Sequence, residues 1–391
     1  MSSVGRVING LAALVVSAAV LALFAFGYGP VPALGRALVP GHGAWASAPG
    51  GQPIHAQTLS LPGLAHPVSV AFTGHGVASV RAADDADAYL ALGYLHARFR
   101  LTEMDLERRL GEGRIAQLAG PAGLSSDKFE LRLGLLRTAQ AEWAATPRTS
   151  AAGQTLIAYS RGVNDYLAQA RRTGDWPSLF GLTGVYPPPW TPTDSLVLQG
   201  VLTQELDYTT TPLDYAILAR TLGPRHTMAW FPIIAPGPGT PYDPGPYKYR
   251  GIAPIAPQAG QVSTTATTSA VRGPAAAAKG PVTARVATAA AAMLAQANAL
   301  PPGLIHEFPN SNAWAANGPR VAGAKSMLAG DPHLPQTVPS IWYQVALSAP
   351  GLSVTGVSVP GLPGVLIGHN AHIAWSLTDT ENQATLFYTE R

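Results

Sequence analysis

The chain has 391 residues, 47% of them hydrophobic and only 12% charged, which at about 100–200 residues per domain is material for a sizeable buried core under a thinly charged surface. Lys+Arg 25 against Asp+Glu 22 gives a formal net charge of +3, too small for a protein that binds by neutralising phosphates, so nucleic acid is excluded as a partner. The lack of cysteine excludes disulfides, thiolate nucleophiles, Fe–S clusters and cysteine zinc sites, leaving Ser, Thr, Lys or a carboxylate as the nucleophile of any covalent chemistry.

Arg6 precedes an apolar run from Ile8 to Tyr28, the pattern of an export signal or a membrane anchor over residues 1–28. The A-x-A match Ala44-Trp45-Ala46 lies far from the end of the run, which favours an anchor, and either reading places the protein outside the cytoplasm. Residues 29–57 are rich in Pro, Gly and Ala and read as a linker. Alternation from His66 to Phe72, a Gly74-His75-Gly76 turn and Val77–Val80 predict a β-hairpin. From Asp84 to Leu118 the period changes to that of a helix, with Asp84 or Asp85 as N-cap and Arg100, Glu103, Glu107 and Arg108 along a polar side. Further helices are predicted over 151–170 and after Trp190, the latter capped by Thr193 or Asp194, and the Pro/Gly-dense stretch 223–258 reads as a surface loop. The Thr/Ala/Gly-rich stretch from 259 reads as a low-complexity spacer reaching 310. It separates a helix-rich region, 58–258, from a β-rich one, 311–391, with strands predicted over 341–348, 352–359, 364–367 and 372–376.

Gly111-Glu112-Gly113 and Gly41-His42-Gly43 resemble half of a dinucleotide fingerprint, but neither joins a strand to a helix in a βαβ unit. There is no Walker A sequence, His-Glu-x-x-His, EF-hand loop or Gly-x-Ser-x-Gly elbow. The informative stretch is Asn310-Ser311-Asn312-Ala313-Trp314, directly after the spacer. It is followed by Asp331-Pro332-His333-Leu334, Pro360-Gly361-Leu362-Pro363-Gly364, Gly368-His369-Asn370 and Ile373-Ala374-Trp375.

This arrangement resembles the penicillin acylase family of N-terminal-nucleophile hydrolases, whose β chain begins at a Ser-Asn-x-Trp motif. Gly93-Tyr94-Leu95-His96-Ala97-Arg98-Phe99-Arg100-Leu101, Met104-Asp105-Leu106-Glu107-Arg108-Arg109 and Gly113-Arg114 are similar to the family's α-chain signature, and Trp190-Thr191-Pro192-Thr193-Asp194-Ser195 stands in its usual place. The resemblance spans about residues 60–391. It implies an α+β, αββα fold with helices outside two stacked antiparallel sheets. It also implies a precursor that cuts itself between Asn310 and Ser311 and hydrolyses a small-molecule N-acyl amide as a heterodimer of α and β chains.

The chemistry accounts for the motif. A serine hydroxyl is a weak nucleophile without a base, and a chain-terminal α-amine, with a reference pKa of about 7.7–8.0, supplies one from the same residue. The resemblance makes Ser311 the nucleophile and places His333 beside its amine. It assigns an oxyanion-hole N–H to Asp379 and pocket-wall positions to Asn312 and Trp314. No cofactor is required; the calcium site of some relatives falls on Asp379 and Asn382, with Thr385 where an acidic residue is usual. Two further departures are expected to matter. Asn310 stands where many relatives have Gly, and the 81 residues from Ser311 to Arg391 stop short of the asparagine that completes the family's oxyanion hole, as in a C-terminally truncated member. Three substrate readings remain open: a penicillin or cephalosporin side chain, an N-acyl-homoserine lactone, or an inactive relative that only binds.

Overall fold

The structure, a computed structural model, describes residues 3–26, 57–231, 284–298, 310–317, 321–323, 325–378, 385 and 387. Helix α1 (Ser3–Phe26) carries no repeating polar face, and its Val7–Phe26 stretch is long and apolar enough to cross a membrane. The fold divides into two units, Met1–Asp207 with Leu300–Asn382, and Tyr208–Ala299 with Gln383–Arg391.

In the first unit the expected hairpin forms from β1 (Ser69–Phe72) and β2 (Ala78–Arg81). Helix α2 (Asp85–Gly111) follows, its first turn capped by the Asp84 carboxylate, which accepts from Asp87 N at 2.8 Å. It ends at Gly111 rather than running on to 118, because Gly113 takes φ 66° and turns the chain out of the helix. Short helices α3 (Ala116–Ala119), α4 (Leu124–Leu133) and α5 (Leu135–Ala145) lead to α6 (Ala151–Thr173), capped by Ser150, then α7 (Ser178–Thr183) and α8 (Pro192–Asp207). Helix α8 starts earlier than Thr193 or Asp194 as cap would allow. Pro192 opens it, and the Asp194 carboxylate reaches back to the Thr191 N–H at 2.6 Å and hydroxyl at 3.1 Å, the reciprocal half of a capping box.

Helices α2 and α6 form the densest contact of the unit. A Cβ on Gly162 would strike the Leu90 carbonyl and one on Gly93 the Tyr159 carbonyl, so glycine at both positions lets the two backbones touch. The predicted polar side of α2 is not a solvated face. Arg108 is 2% exposed, bonded to Asp105, 3.7 Å from Asp194 and 5.1 Å above the Trp190 ring, because buried guanidinium is held by paired carboxylates and an aromatic face.

Strands β5 (Tyr343–Ala349), β6 (Leu352–Ser358), β7 (Ile367–Asn370) and β8 (Ala374–Trp375) complete a six-stranded sheet of order β1-β2-β5-β6-β7-β8. All its pairs are antiparallel except β2 with β5, where Ala78 stands against Val345 and Val80 against Leu347. Those four side chains are buried with Tyr343 and pack against Leu92 and Leu95 of α2 in one core; burying each Val or Leu is worth about 1.5–3 kcal/mol. The architecture is α+β, a helical layer laid on a mainly antiparallel sheet. A separate ribbon pairs β3 (Asn310–Asn317) with β4 (Ser326–His333). Neither strand was legible as such, since β3 lacks β-branched residues and β4 contains Gly, Asp and Pro.

In the second unit, α9 (Thr211–Leu222), α10 (Pro224–Trp230) and α11 (Ala284–Asn298) are described. Two of them fall within the expected loop and spacer. Pro224 is tolerated because it stands in the first turn of α10, and the Ala-rich 284–298 stretch is strong helix former that packs on α9 with Ala290 buried. The rest of the 29–57 linker, the 223–258 loop and the 259–310 spacer lies outside the described residues, apart from Gln57, Gly223, Phe231 and Asn310.

Candidate active site

The Ser311 side chain is half-buried on the second residue of β3 and stands opposite Pro332 of β4. Neighbouring register pairs are Asn310 with His333 and Asn312 with Asp331. Successive residues of a strand face opposite ways, so His333 shares the face of Asn312, not that of Ser311. Its Nε2 lies 3.0 Å from Asp331 Oδ2 on the same exposed face. Asn312 is exposed, and Trp314, opposite Ala329, is 58% exposed. Asp379 and Asn382 lie outside the described residues.

The segment that leads to Asp379 reaches β3. Trp375 Nε1 donates to Leu366 O at 3.0 Å, and the β7–β8 turn is closed by Asn370 Oδ1 accepting from His372 N and Ile373 N, each at 2.8 Å. Beyond β8, Ser376 packs directly on Gly330, where any Cβ would collide with its Oγ, and the Thr378 hydroxyl donates to the Ser311 carbonyl at 2.9 Å. Residues 67 apart in sequence thus meet at the predicted nucleophile. The sequence signal for Thr378 was only its place before Asp379.

A second set of contacts ties the helices to the β-rich region. His96 is fully buried, its Nδ1 2.7 Å from Tyr159 Oη and its Nε2 2.9 Å from Ser358 Oγ. Ser358 spends its own proton on Tyr343 O at 2.9 Å, and Tyr159 Oη accepts from Gly361 N at 2.8 Å. These roles require a neutral His96 that donates through Nε2 and accepts at Nδ1. Burial, helped by the nearby Arg100 charge, pushes its pKa down to about 3.

Where α2 and α8 face the chain after β4, a cavity of about 550 Å³ opens. Leu202, Leu206 and Leu334 give it apolar walls, and Glu103, Glu107 and Glu205 bring three carboxyls to it. Leu334 directly follows His333, so the cavity begins at the end of the β3–β4 ribbon. Burial, then Glu205 and Glu103, pushes the Glu107 carboxyl up to about 8; burial, opposed by Arg100, pushes Glu103 up to about 7. The sequence placed both on a polar helix face and gave no sign that they line a cavity. Asn312 and Trp314 are not among its lining residues.

Among the described residues, His66, Asp84 and Asp87 form a cluster of metal-ligand type. Its carboxylates are committed to backbone: Asp87 accepts from Ala65 N and His66 N, each at 2.9 Å, and Asp84 caps α2. It reads as the anchor of the loop before the hairpin.

Comparison with known proteins bears on the whole region. A family model described as penicillin amidase matches residues 67–391. Acyl-homoserine lactone acylase QuiP of Pseudomonas aeruginosa is 32% identical over 322 residues, 81% of this chain and 34% of that protein. Penicillin acylase 2 proenzyme of Pseudomonas sp. (strain SE83) is 30% identical over 332 residues, 82% of this chain and 37% of that one. A thermostable penicillin G acylase from Alcaligenes faecalis, solved in a tetragonal form, aligns at 24% identity with a TM-score of 0.38, covering 44% of this chain and 96% of that chain. The chain spans about a third of the length of the curated relatives it matches.

Proposed function

This chain belongs to the penicillin amidase family, and from that membership we propose that it is the precursor of an exported acylase whose nucleophile is Ser311. In the maturation step Ser311 Oγ attacks the Asn310 carbonyl carbon, and the Asn310–Ser311 C–N bond breaks as its nitrogen takes up a proton. Water then hydrolyses the ester, leaving a carboxylate on Asn310 and a free hydroxyl and amine on Ser311. In turnover the amine takes the hydroxyl proton while Oγ attacks the substrate amide, and it passes that proton to the departing amine. Water returns the acyl group as an acid. The oxyanion calls for fixed donors, a role we assign to the Asp379 N–H.

The observation that carries this reading is the Thr378–Ser311 hydrogen bond, which brings the segment before Asp379 to the predicted nucleophile. A cut at 310 leaves its two pieces joined, since the β2–β5 ladder and the His96–Ser358 and Tyr159–Gly361 bonds all cross it. The mature enzyme is accordingly a heterodimer of α and β chains. The cavity beside Leu334 receives the acyl group against its leucines. Helix α1 directs export, as a signal or an anchor.

For the substrate, an N-acyl amide, relatives named for acyl-homoserine lactones and for penicillin give two chemistries with one reaction. The test is release of free amine from an N-acyl-homoserine lactone and from a penicillin by the protein expressed from its whole gene. The acyl group should be trapped by mass on the fragment that begins with Ser311. Amine release that survives Ser311→Ala contradicts the proposal.

A further inference from the structure

We propose that Thr378 is a positioning residue for Ser311, holding the peptide from which the nucleophile's hydroxyl and amine both project; this rests on the reading of Ser311 given above. The need for such a donor follows from the register. Ser311 pairs with Pro332, and proline has no N–H. If the pair is of the hydrogen-bonded kind, the opposite residue would normally donate to the Ser311 carbonyl, and Pro332 has nothing to give. If it is of the other kind, the carbonyl points away from β4 altogether. In either case the ribbon leaves this carbonyl without a donor from Pro332, and the Thr378 hydroxyl supplies one at 2.9 Å.

The supporting contact has the same spacing. Ser376 lies on Gly330, which pairs with Ala313, and Thr378 bonds to Ser311, which pairs with Pro332. Residues 311 and 313 share one strand face, so a segment stepping by two, 376 then 378, follows that face along the ribbon. Glycine at 330 lets it lie close enough: a side chain there would push Ser376 off and carry Thr378 with it. The Ser311 carbonyl is the only ribbon group the Thr378 hydroxyl is seen to hold among the described residues. Thr378 itself is exposed, so its loss removes a hydrogen bond without opening a core cavity.

The test follows self-cleavage of the full chain by intact mass over time in the wild type, Thr378→Val, Thr378→Ser and Ser311→Ala. Valine keeps the shape and deletes the hydroxyl; serine keeps the hydroxyl. We expect Thr378→Val to slow cleavage about tenfold, the size of one neutral hydrogen bond lost in place, and Thr378→Ser to stay within about threefold of wild type. Thermal melts of the uncleavable Ser311→Ala background should be the same with and without Thr378→Val. A Thr378→Val chain that cleaves at the wild-type rate, a slowing shared equally by Thr378→Ser, or a slowing matched by a lowered melt overturns the positioning role and leaves the Ser311 reading standing. Cleavage of Ser311→Ala, or none in the wild type, overturns that reading and this one with it.

Discussion

Replacing Glu107 by Gln should change how the fold answers to alkali more than how it stands at mild acid. The carboxyl faces the cavity between α2 and α8, near Glu103 and Glu205, and is raised from its ordinary 4.5 to about 8 by burial and by those charges. The folded form therefore keeps a proton where the unfolded form has lost it. The stability this contributes is whole below about pH 4.5 and is lost as pH rises through about 8. At about 1.4 kcal/mol per pH unit the span is worth at most about 5 kcal/mol. Part of it is shared with Glu205 and Glu103, so about 3 kcal/mol is expected on Glu107 alone. Glutamine has the same shape, donates a hydrogen bond as the protonated acid does, and cannot ionise. Urea unfolding of both proteins between about pH 5 and about pH 9 measures the difference. The variant should match wild type at the acid end and exceed it by about 3 kcal/mol at the alkaline end. Parallel stability curves across that range would refute the placement of a protonated carboxyl in this cavity.

Three other substitutions probe the scaffold. Gly162→Ala drives a methyl into the Leu90 carbonyl on α2, and with no flexible side chain to yield it should cost about 3 kcal/mol in urea unfolding. His96→Ala leaves buried hydroxyls on Tyr159 and Ser358 short of a partner and opens space, for a loss of about 3 kcal/mol. In the wild type the same histidine, pushed down to about 3, contributes stability that is present above about pH 6.5 and fades as pH falls through about 3; His96→Ala should lack that dependence in acid unfolding. Glu130 is 4% exposed, accepts from Gln204 Nε2 at 2.9 Å and is raised by burial to about 7. Glu130→Gln should therefore leave stability near pH 5 little changed and relieve a loss of up to about 3 kcal/mol approaching about pH 8, read in the same unfolding series.

What was legible in the sequence is what local physics determines. Asp84 before an apolar 3.6-residue period marks the start of α2, Gly74-His75-Gly76 marks the hairpin, and the Gly/Pro-punctuated runs 341–348 and 352–359 mark, within two residues, the two longest strands of the sheet. Long-range partnership was not legible. Nothing near Ala78 says that β2 will lie parallel to β5, more than 260 residues away, and nothing near Glu107 says that its helix face closes a cavity. The ribbon escaped because β3 is mostly Asn and Ala and β4 carries Gly, Asp and Pro, residues with little preference for extended backbone. Those residues are the ones the site uses: glycine at 330 admits Ser376, and proline at 332 leaves the Ser311 carbonyl to Thr378. Motif reading singled out Ser311 as the proposed nucleophile, whereas the Thr378 hydroxyl bonded to its carbonyl came only from the fold.

Determining the N-termini present in purified protein, for wild type and Ser311→Ala side by side, tests the central claim most directly. The account predicts a chain starting at Ser311 in the wild type, still bound to its upstream piece, and a single uncut chain in the variant. Finding the same new terminus in Ser311→Ala, or an uncut and fully active wild type, would contradict it.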